Sequence, residues 1–335
     1  MLDINTKYDT SIKVNHITRN SNKEIGWLDI PNPSNRSAWG VMRVPYAVIG
    51  NTKGPTVLLS AGLHGDEYEG QIALNNLIHT INPNEVTGRI IVLPSVNIEG
   101  AYNATRLTPI ANQDMNRIFP GKADGTPAER LAHFMTYQLI AQADCVIDIH
   151  SGGYSLDFLP CGVIHDSSDH AIKKQRIEAL KAFNAPYNLI LEELDATGMI
   201  DTLVESQGKL FLSTEIGGGQ RVTQQSVQVA SKGIINTLRH LHILQDKPAE
   251  PGDKPLYQLP ESGFCIAPEE GIFEPFYDLG SQVKKGNVIG QIHRLHAPNA
   301  TPVQVHAHCD GLVFGKRSPA ITHLGDTLLL IAQTY

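Results

Sequence analysis

The sequence has little that would tie it to an oxidising compartment, a membrane or a polyanion. It holds four cysteines in 335 residues, Cys145, Cys161, Cys265 and Cys309, with no Cys-x-x-Cys pair among them. That spacing argues against a disulfide framework and against a cysteine-based zinc site. Cys145, inside an apolar run, reads as a small buried hydrophobe. No apolar run approaches the roughly 20 residues that cross a bilayer. The opening stretch MLDINTKYDT lacks the basic start and apolar core of a secretory signal. Positive charge is in deficit, since 27 Lys and Arg stand against 34 Asp and Glu, for a net charge of −7. Nucleic acids and anionic membranes want a basic face, so neither partner is expected. A soluble, cytoplasmic protein is the expectation.

What is present is alternation. Short apolar runs, TVLLSA (56–61), RIIVLPSV (89–96), CVIDI (145–149) and LFLSTEI (210–216), are separated by amphipathic stretches such as EGQIALNNLIHTI (69–81) and AERLAHFMTYQLIAQA (128–143). Strands alternating with helices predict an α/β domain with a mixed, mostly parallel sheet flanked by helices. Residues 246–256, DKPAEPGDKPL, read as a proline-rich linker. The pattern then changes to short strand-like runs with frequent glycines. Two of them, 271–292 and 311–332, look alike, which predicts an all-β appendage of two similar halves, barrel-sandwich-like. The boundary falls at 250/251, between a catalytic domain (1–250) and a C-terminal β domain (251–335).

In an open parallel α/β sheet, ligands bind beyond the carboxyl ends of the strands. His64 and Glu67, in GLHGDEYEG (62–70), follow the first run; Asn97 follows the second; His150 follows the third; Glu215 closes the fourth, with Gly217 to Gly219 behind it. Such convergence of polar residues favours a site. Two imidazoles and one carboxylate suit zinc and leave a fourth position for water, whose proton a second glutamate can take and pass to a leaving amine. His64 and Glu67 are spaced to aim at one point from a turn and a helix start. Asp148, two residues before His150 on the same strand face, is placed to orient its imidazole. The glycines after Glu215 leave room for a substrate to approach.

The stretches HGDE, IDIHSGG and TEIGGG, together with DMNRIFPG (114–121), resemble the zinc acylases of the succinylglutamate desuccinylase/aspartoacylase family, relatives of the zinc carboxypeptidases. The resemblance covers roughly residues 35–245. It implies one zinc ion per chain held by His64, Glu67 and His150, and Glu215 as general base and acid. It implies Arg106 as the group that polarises the scissile carbonyl, and Asn116 and Arg117 as the grip on a substrate carboxylate. An N-acyl amino acid is the implied substrate. Within the family, SAWG (37–40), HSGGYSLDF (150–158), FNAPY (183–187) and LDATGMIDT (194–202) resemble the branch that serves ectoine degradation, which implies an acetyl group on 2,4-diaminobutyrate. The free amino group of that compound needs an acidic partner, for which Glu192, Glu193 and Asp195 are candidates against the simpler reading of a solvated acidic surface.

Other features carry simpler readings. Asp66 and Glu69 are acids at a helix start, favourable there without any chemistry. His306 and His308 read as a surface pair, and Lys284 and Lys285 as a solvated turn. The β appendage is expected to cover the mouth of the site or to mediate contacts of a homo-oligomer. Competing functions are a succinyl- or aspartyl-type acylase, a small-peptide carboxypeptidase, a non-catalytic binding protein on the same scaffold, and a carrier or interaction role for the β domain.

Overall fold

The structure is a computed structural model that describes residues 2, 11–20, 22–35, 37–191, 195–246 and 254–335. Three antiparallel strands open the chain: β1 (Lys13–Arg19), β2 (Lys23–Pro31) and β3 (Val41–Gly50). The α/β core follows, with β4 (Thr56–Ala61), α1 (Tyr68–Thr80), β5 (Arg89–Leu93), α2 (Ile98–Asn103), α3 (Pro127–Phe134) and β6 (Cys145–His150). Then come β7 (Leu156–Phe158), β8 (Cys161–Ile164), α4 (His170–Phe183), β9 (Tyr187–Leu191), α5 (Ile200–Ser206), β10 (Leu210–Glu215) and α6 (Gln224–His240).

The order across the sheet is β1-β2-β3-β5-β4-β6-β10-β8-β9. The centre is parallel, with β5, β4, β6 and β10 running together, while the β1–β3 arm and the β10–β8 pair are antiparallel. The mixed sheet is as expected; the antiparallel arm was not. Its strands are half-exposed, and β2 alternates buried and half-buried residues, so it lacks the continuous apolar signal of the inner strands. Those inner strands, β4, β5 and β6, are buried on both faces. One apolar layer joins them to α1, α4 and α6 through Leu74, Leu180 and Ile234. The other carries Leu131, Phe134, Ile200 and Val204, from α3 and α5.

The helix read over 128–143 changes its winding part-way. Thr126 caps α3 through a reciprocal pair with Glu129, and the chain then widens into a π turn at Met135–Leu139 and tightens into a 3₁₀ turn at Ile140–Gln142.

The C-terminal part is all β: β11 (Leu256–Leu259), β12 (Phe264–Ile266), β13 (Gly271–Pro275), β14 (Gln282–Val283), β15 (Val288–His293), β16 (Val303–His306), β17 (Gly311–Arg317), β18 (Ile321–Thr322) and β19 (Thr327–Thr334). Its two halves exchange strands. β13 pairs β15 and β17 pairs β19, while β14 of the first half pairs β17 and β18 of the second pairs β13. The part is not set apart from the core. β11 lies parallel to β9 and antiparallel to β19, so the main sheet runs on into the β unit, and β17 also pairs β7. Most of the stretch read as a linker lies outside the described residues.

Candidate active site

Strand β4 ends at Ala61, and Gly62, at φ +70°, turns the chain out of the sheet. The turn delivers His64, and Glu67 takes the N-cap position of α1. Glu67 does not cap the helix with its side chain, so its carboxylate is free to face the histidines. His150 is the last residue of β6, and in the parallel pairing with β10 it stands opposite Glu215, the last residue of that strand.

The four side chains meet at this edge. Glu67 spans the two imidazoles, with Oε1 2.7 Å from His64 Nδ1 and Oε2 2.9 Å from His150 Nδ1. The two Nδ1 atoms lie 3.2 Å apart. One ligand atom from each of the three residues falls within 4.8 Å of the others, and all three residues are buried. The outer nitrogens are also engaged. His150 Nε2 lies 2.6 Å from Asp148 Oδ2, and Ser60 Oγ donates to the other oxygen of Asp148 at 2.7 Å. His64 Nε2 lies 3.2 Å from Asp114 Oδ1. Carboxylates behind both imidazoles fix their rings and turn both Nδ1 atoms inward, the arrangement seen where histidines hold a metal.

Electrostatics point the same way. Burial works against the charge on Glu67, but His64 and His150 outweigh it and hold the carboxyl well below its usual range. Burial likewise disfavours a charged His150, and Asp148 and Glu67 overcome it and raise its pKa. Glu215 goes the opposite way: burial first, then the charge of Glu67, push its carboxyl up to about 8. Its Oε2 is buried with no hydrogen-bond partner, a costly arrangement for a structural residue. The carboxylates of Glu67 and Asp114 gather round one fixed cation, Arg106, and two imidazoles with one carboxylate are a donor set that fits a divalent cation.

Arg106 reaches the cluster from the loop after α2. Its Nε donates to Asp114 Oδ2 at 3.1 Å, and its NH1 lies 3.8 Å from Glu67 Oε1. Asn97 caps α2 and donates to the Arg106 carbonyl at 3.2 Å, so its part is to hold the arginine's backbone. Asn116 and Arg117 arrive on a short 3₁₀ turn capped by Asp114. All seven residues named from the sequence as ligands, base or substrate grips line one pocket of about 170 Å³. A wider cleft of about 750 Å³ lies outside it, bounded by the 103–112 and 152–155 loops, and shares Arg106 with it.

The catalytic-domain profile of the succinylglutamate desuccinylase/aspartoacylase family matches residues 53–241, the span that builds this pocket. The chain belongs to that family. Over 310 residues it is 36% identical to the N-α-acetyl-L-2,4-diaminobutyric acid deacetylase of Halomonas elongata, covering 92% of this chain and 91% of that one. The product-bound structure of the ectoine utilization protein EutE from Ruegeria pomeroyi superposes with a TM-score of 0.93 at 36% identity, covering 98% of this chain and all of that one. A succinylglutamate desuccinylase/aspartoacylase from Rhodobacter sphaeroides gives 0.90 at 33% identity, over 96% and 99% of the two chains.

In and beside the pocket stand residues that the motifs and strand ends left without a role. Asp114 lies inside the quoted DMNR stretch, yet it is the carboxylate that His64 and Arg106 share; burial opposes its charge, and His64 and Arg106 hold its pKa well down. Phe211 and Ser213 line the pocket with Glu215, and period-2 alternation along β10 was a signal for them. His165, on the loop after β8, carried no motif, and Asp201, in the first turn of α5, lies in the quoted LDATGMIDT stretch without a role assigned to it.

Several expectations land elsewhere. Asp195 is exposed and does not line the pocket; Glu192 and Glu193 lie outside the described residues. Of the glycines after Glu215, Gly218 has a packing role. A Cβ on Gly218, at φ +151°, would stand 2.0 Å from the Leu156 carbonyl oxygen, so the glycine lets the 152–158 segment pack against β10's exit. Glu69 is more than a helix-end acid: it is buried, accepts from Ser151 Oγ at 2.9 Å, and burial raises its pKa to about 7. His306 and His308 are exposed, and Lys284 pairs Asp310 at 3.0 Å. The four cysteines are buried and unpaired. Among the described residues no helix is long and apolar enough to cross a membrane. No residue of 257–335 lines the small pocket; β17 instead pairs β7, which follows the 152–155 loop of the wider cleft.

Proposed function

We propose that this chain is a zinc-dependent deacylase that hydrolyses the amide of an N-acyl amino acid, and that its substrate is N-α-acetyl-L-2,4-diaminobutyrate, giving acetate and 2,4-diaminobutyrate in the cytoplasm. The observation that carries the reading is the meeting of His64 Nδ1, Glu67 and His150 Nδ1 in one small pocket with Glu215, whose buried Oε2 has no hydrogen-bond partner. Named relatives that act in this chemistry, matched over nearly the whole chain, support it. The pocket, at about 170 Å³, is below the roughly 300–1,000 Å³ typical of sites for drug-sized ligands, which favours a small metabolite over a peptide.

His64, Glu67 and His150 would hold the zinc ion. Bound there, zinc supplies Lewis acidity, polarising a carbonyl and acidifying water near neutral pH. Glu215 takes the proton of the attacking water as the water oxygen bonds to the acetyl carbon. A carboxyl raised from its usual range by burial, with a divalent cation beside it to favour its charged form, can both accept that proton and give it up. As the C–N bond breaks, Glu215 returns the proton to the departing α-nitrogen. Arg106 faces the negative charge that develops on the carbonyl oxygen, and its tie to Asp114 holds it there without reorganisation. Arg117, beside Asn116, grips the α-carboxylate; a planar guanidinium binds a carboxylate through two parallel hydrogen bonds. We also read residues 1–250 as the catalytic unit and 251–335 as a barrel-sandwich-like support that steadies the 155–158 segment.

The test is acetate release by zinc-replete protein from N-α-acetyl-L-2,4-diaminobutyrate, beside N-acetyl-aspartate and N-succinyl-glutamate. Turnover of the first in clear preference is the expected result. Preference for either of the others keeps the deacylase chemistry and overturns the substrate.

A further inference from the structure

Asp201 lines the small pocket, and neither the metal cluster nor the amide chemistry uses it. Part of its role is local. It stands in the first turn of α5, where an acid is favourable, and Oδ1 accepts from the Thr202 backbone and hydroxyl. That role does not require burial, yet the residue is only 5% exposed. Its other oxygen, Oδ2, lies 4.0 Å from His165 Nε2.

The setting holds this acid in place from two sides. One turn further along α5, Glu205 lies 3.2 Å from His165 Nδ1 and 3.0 Å from the Arg176 guanidinium. This chain of three charged and polar groups locks the helix that carries Asp201. On the other side, the Ile200 N–H donates to Asn116 Oδ1 at 2.9 Å, and the Phe119 N–H donates to the Gly198 carbonyl at 2.9 Å. Gly198, at φ +72°, leaves no room for a side chain, since a Cβ there would be 2.3 Å from the Arg117 carbonyl oxygen. The start of α5 is thus stitched to the segment that carries Asn116 and Arg117. A guanidinium and a carboxylate enter one pocket from two segments fixed to each other.

We infer that Asp201 is the subsite for the cationic end of the substrate: it holds the free 4-ammonium of the acylated diamino acid while Arg117 holds the α-carboxylate. The inference rests on the substrate proposed above and deepens it. Three carboxylates line the pocket among the described residues. Glu67 belongs to the metal cluster and Glu215 to proton transfer, which leaves Asp201. The same charge repels an acidic side chain, so it selects against N-acyl-aspartate and N-acyl-glutamate while it attracts a diamino acid.

The test compares kcat/KM on N-α-acetyl-2,4-diaminobutyrate with that on N-α-acetyl-2-aminobutyrate, which has the same carbon chain and no ammonium. Wild type is expected to favour the charged substrate by about 100-fold, the scale of a buried charge pair. In Asp201→Asn and Asp201→Ser, each checked for native zinc content, the loss should fall on the charged substrate and the preference should collapse. Glu192→Gln and Glu193→Gln should keep it. A wild type that uses both substrates equally overturns the subsite and leaves the deacylase reading standing. A wild type that uses neither overturns the substrate assignment and the subsite with it. Equal losses on both substrates in the Asp201 variants, or collapse in a Glu192 or Glu193 variant instead, also overturn the subsite.

Discussion

Glu67 and Glu215 stand in one pocket with their carboxyls displaced in opposite directions, one far below the usual range and the other up to about 8. Both are desolvated. The difference is what faces them: two imidazoles across from Glu67, and the charge of Glu67 itself across from Glu215. Environments that drive two acids apart in this way separate a charge that stays fixed from one that moves a proton.

Glu215→Gln separates the two roles. The variant should bind zinc as wild type does, because Glu215 is not one of the three clustered ligands. Turnover should fall by roughly 10²–10⁴-fold, the usual contribution of a positioned acid–base group. Zinc content by elemental analysis and steady-state kcat check it, and near-normal kcat removes Glu215 from the chemistry.

Asp114→Asn should weaken two things at once. Asp114 accepts from both His64 and Arg106. Loss of a carboxylate behind a ligating histidine typically costs about 10–100-fold in metal affinity or activity. The expected outcome is weaker zinc binding in a competition titration, together with a lower kcat in protein saturated with zinc.

Arg117→Lys keeps the charge and loses the planar fork. If Arg117 grips the α-carboxylate, KM should rise by about 10-fold, the cost of one charge-assisted hydrogen bond, with kcat far less changed. An unchanged KM places the carboxylate elsewhere.

Glu69 sets a pH dependence of stability. Its pKa is raised from 4.5 to about 7, chiefly by burial. Between those values the folded chain keeps a proton that the unfolded chain has released, so this group makes stability fall as pH rises. Below 4.5 both states are protonated and the penalty vanishes. In metal-free protein, Glu69→Gln should therefore be more stable than wild type near pH 8, by on the order of 2 kcal/mol, with the gap narrowing towards pH 4.5. Denaturant midpoints across that window check it; a gap that widens as pH falls contradicts the assignment.

The parts legible in the sequence were those where a strong local signal meets a topological rule. His64 follows and His150 closes a run buried on both faces, Glu215 closes a largely buried one, and the carboxyl edge of a parallel sheet brings such positions together. Asp148 was legible for the same reason, through the two-residue period of β6. Asp201 and His165 were not, because an acid at a helix start and a histidine after a short strand are ordinary in isolation, and only packing gives them a shared cavity. The β1–β3 arm was missed because its outer face is solvated. The passage from β9 into β11 was missed because a proline-rich stretch conceals from local patterning that the strand after it rejoins the same sheet.

The central claim is that His64, Glu67 and His150 hold one catalytic zinc ion. The most direct measurement strips the protein with a chelator and returns zinc in steps while following acetate release from N-α-acetyl-L-2,4-diaminobutyrate. The account predicts that stripped protein is inactive and that activity rises linearly to a break at one zinc per chain, with no recovery in His150→Ala. Full activity in metal-free protein, or recovery that ignores the loss of His150, would contradict it.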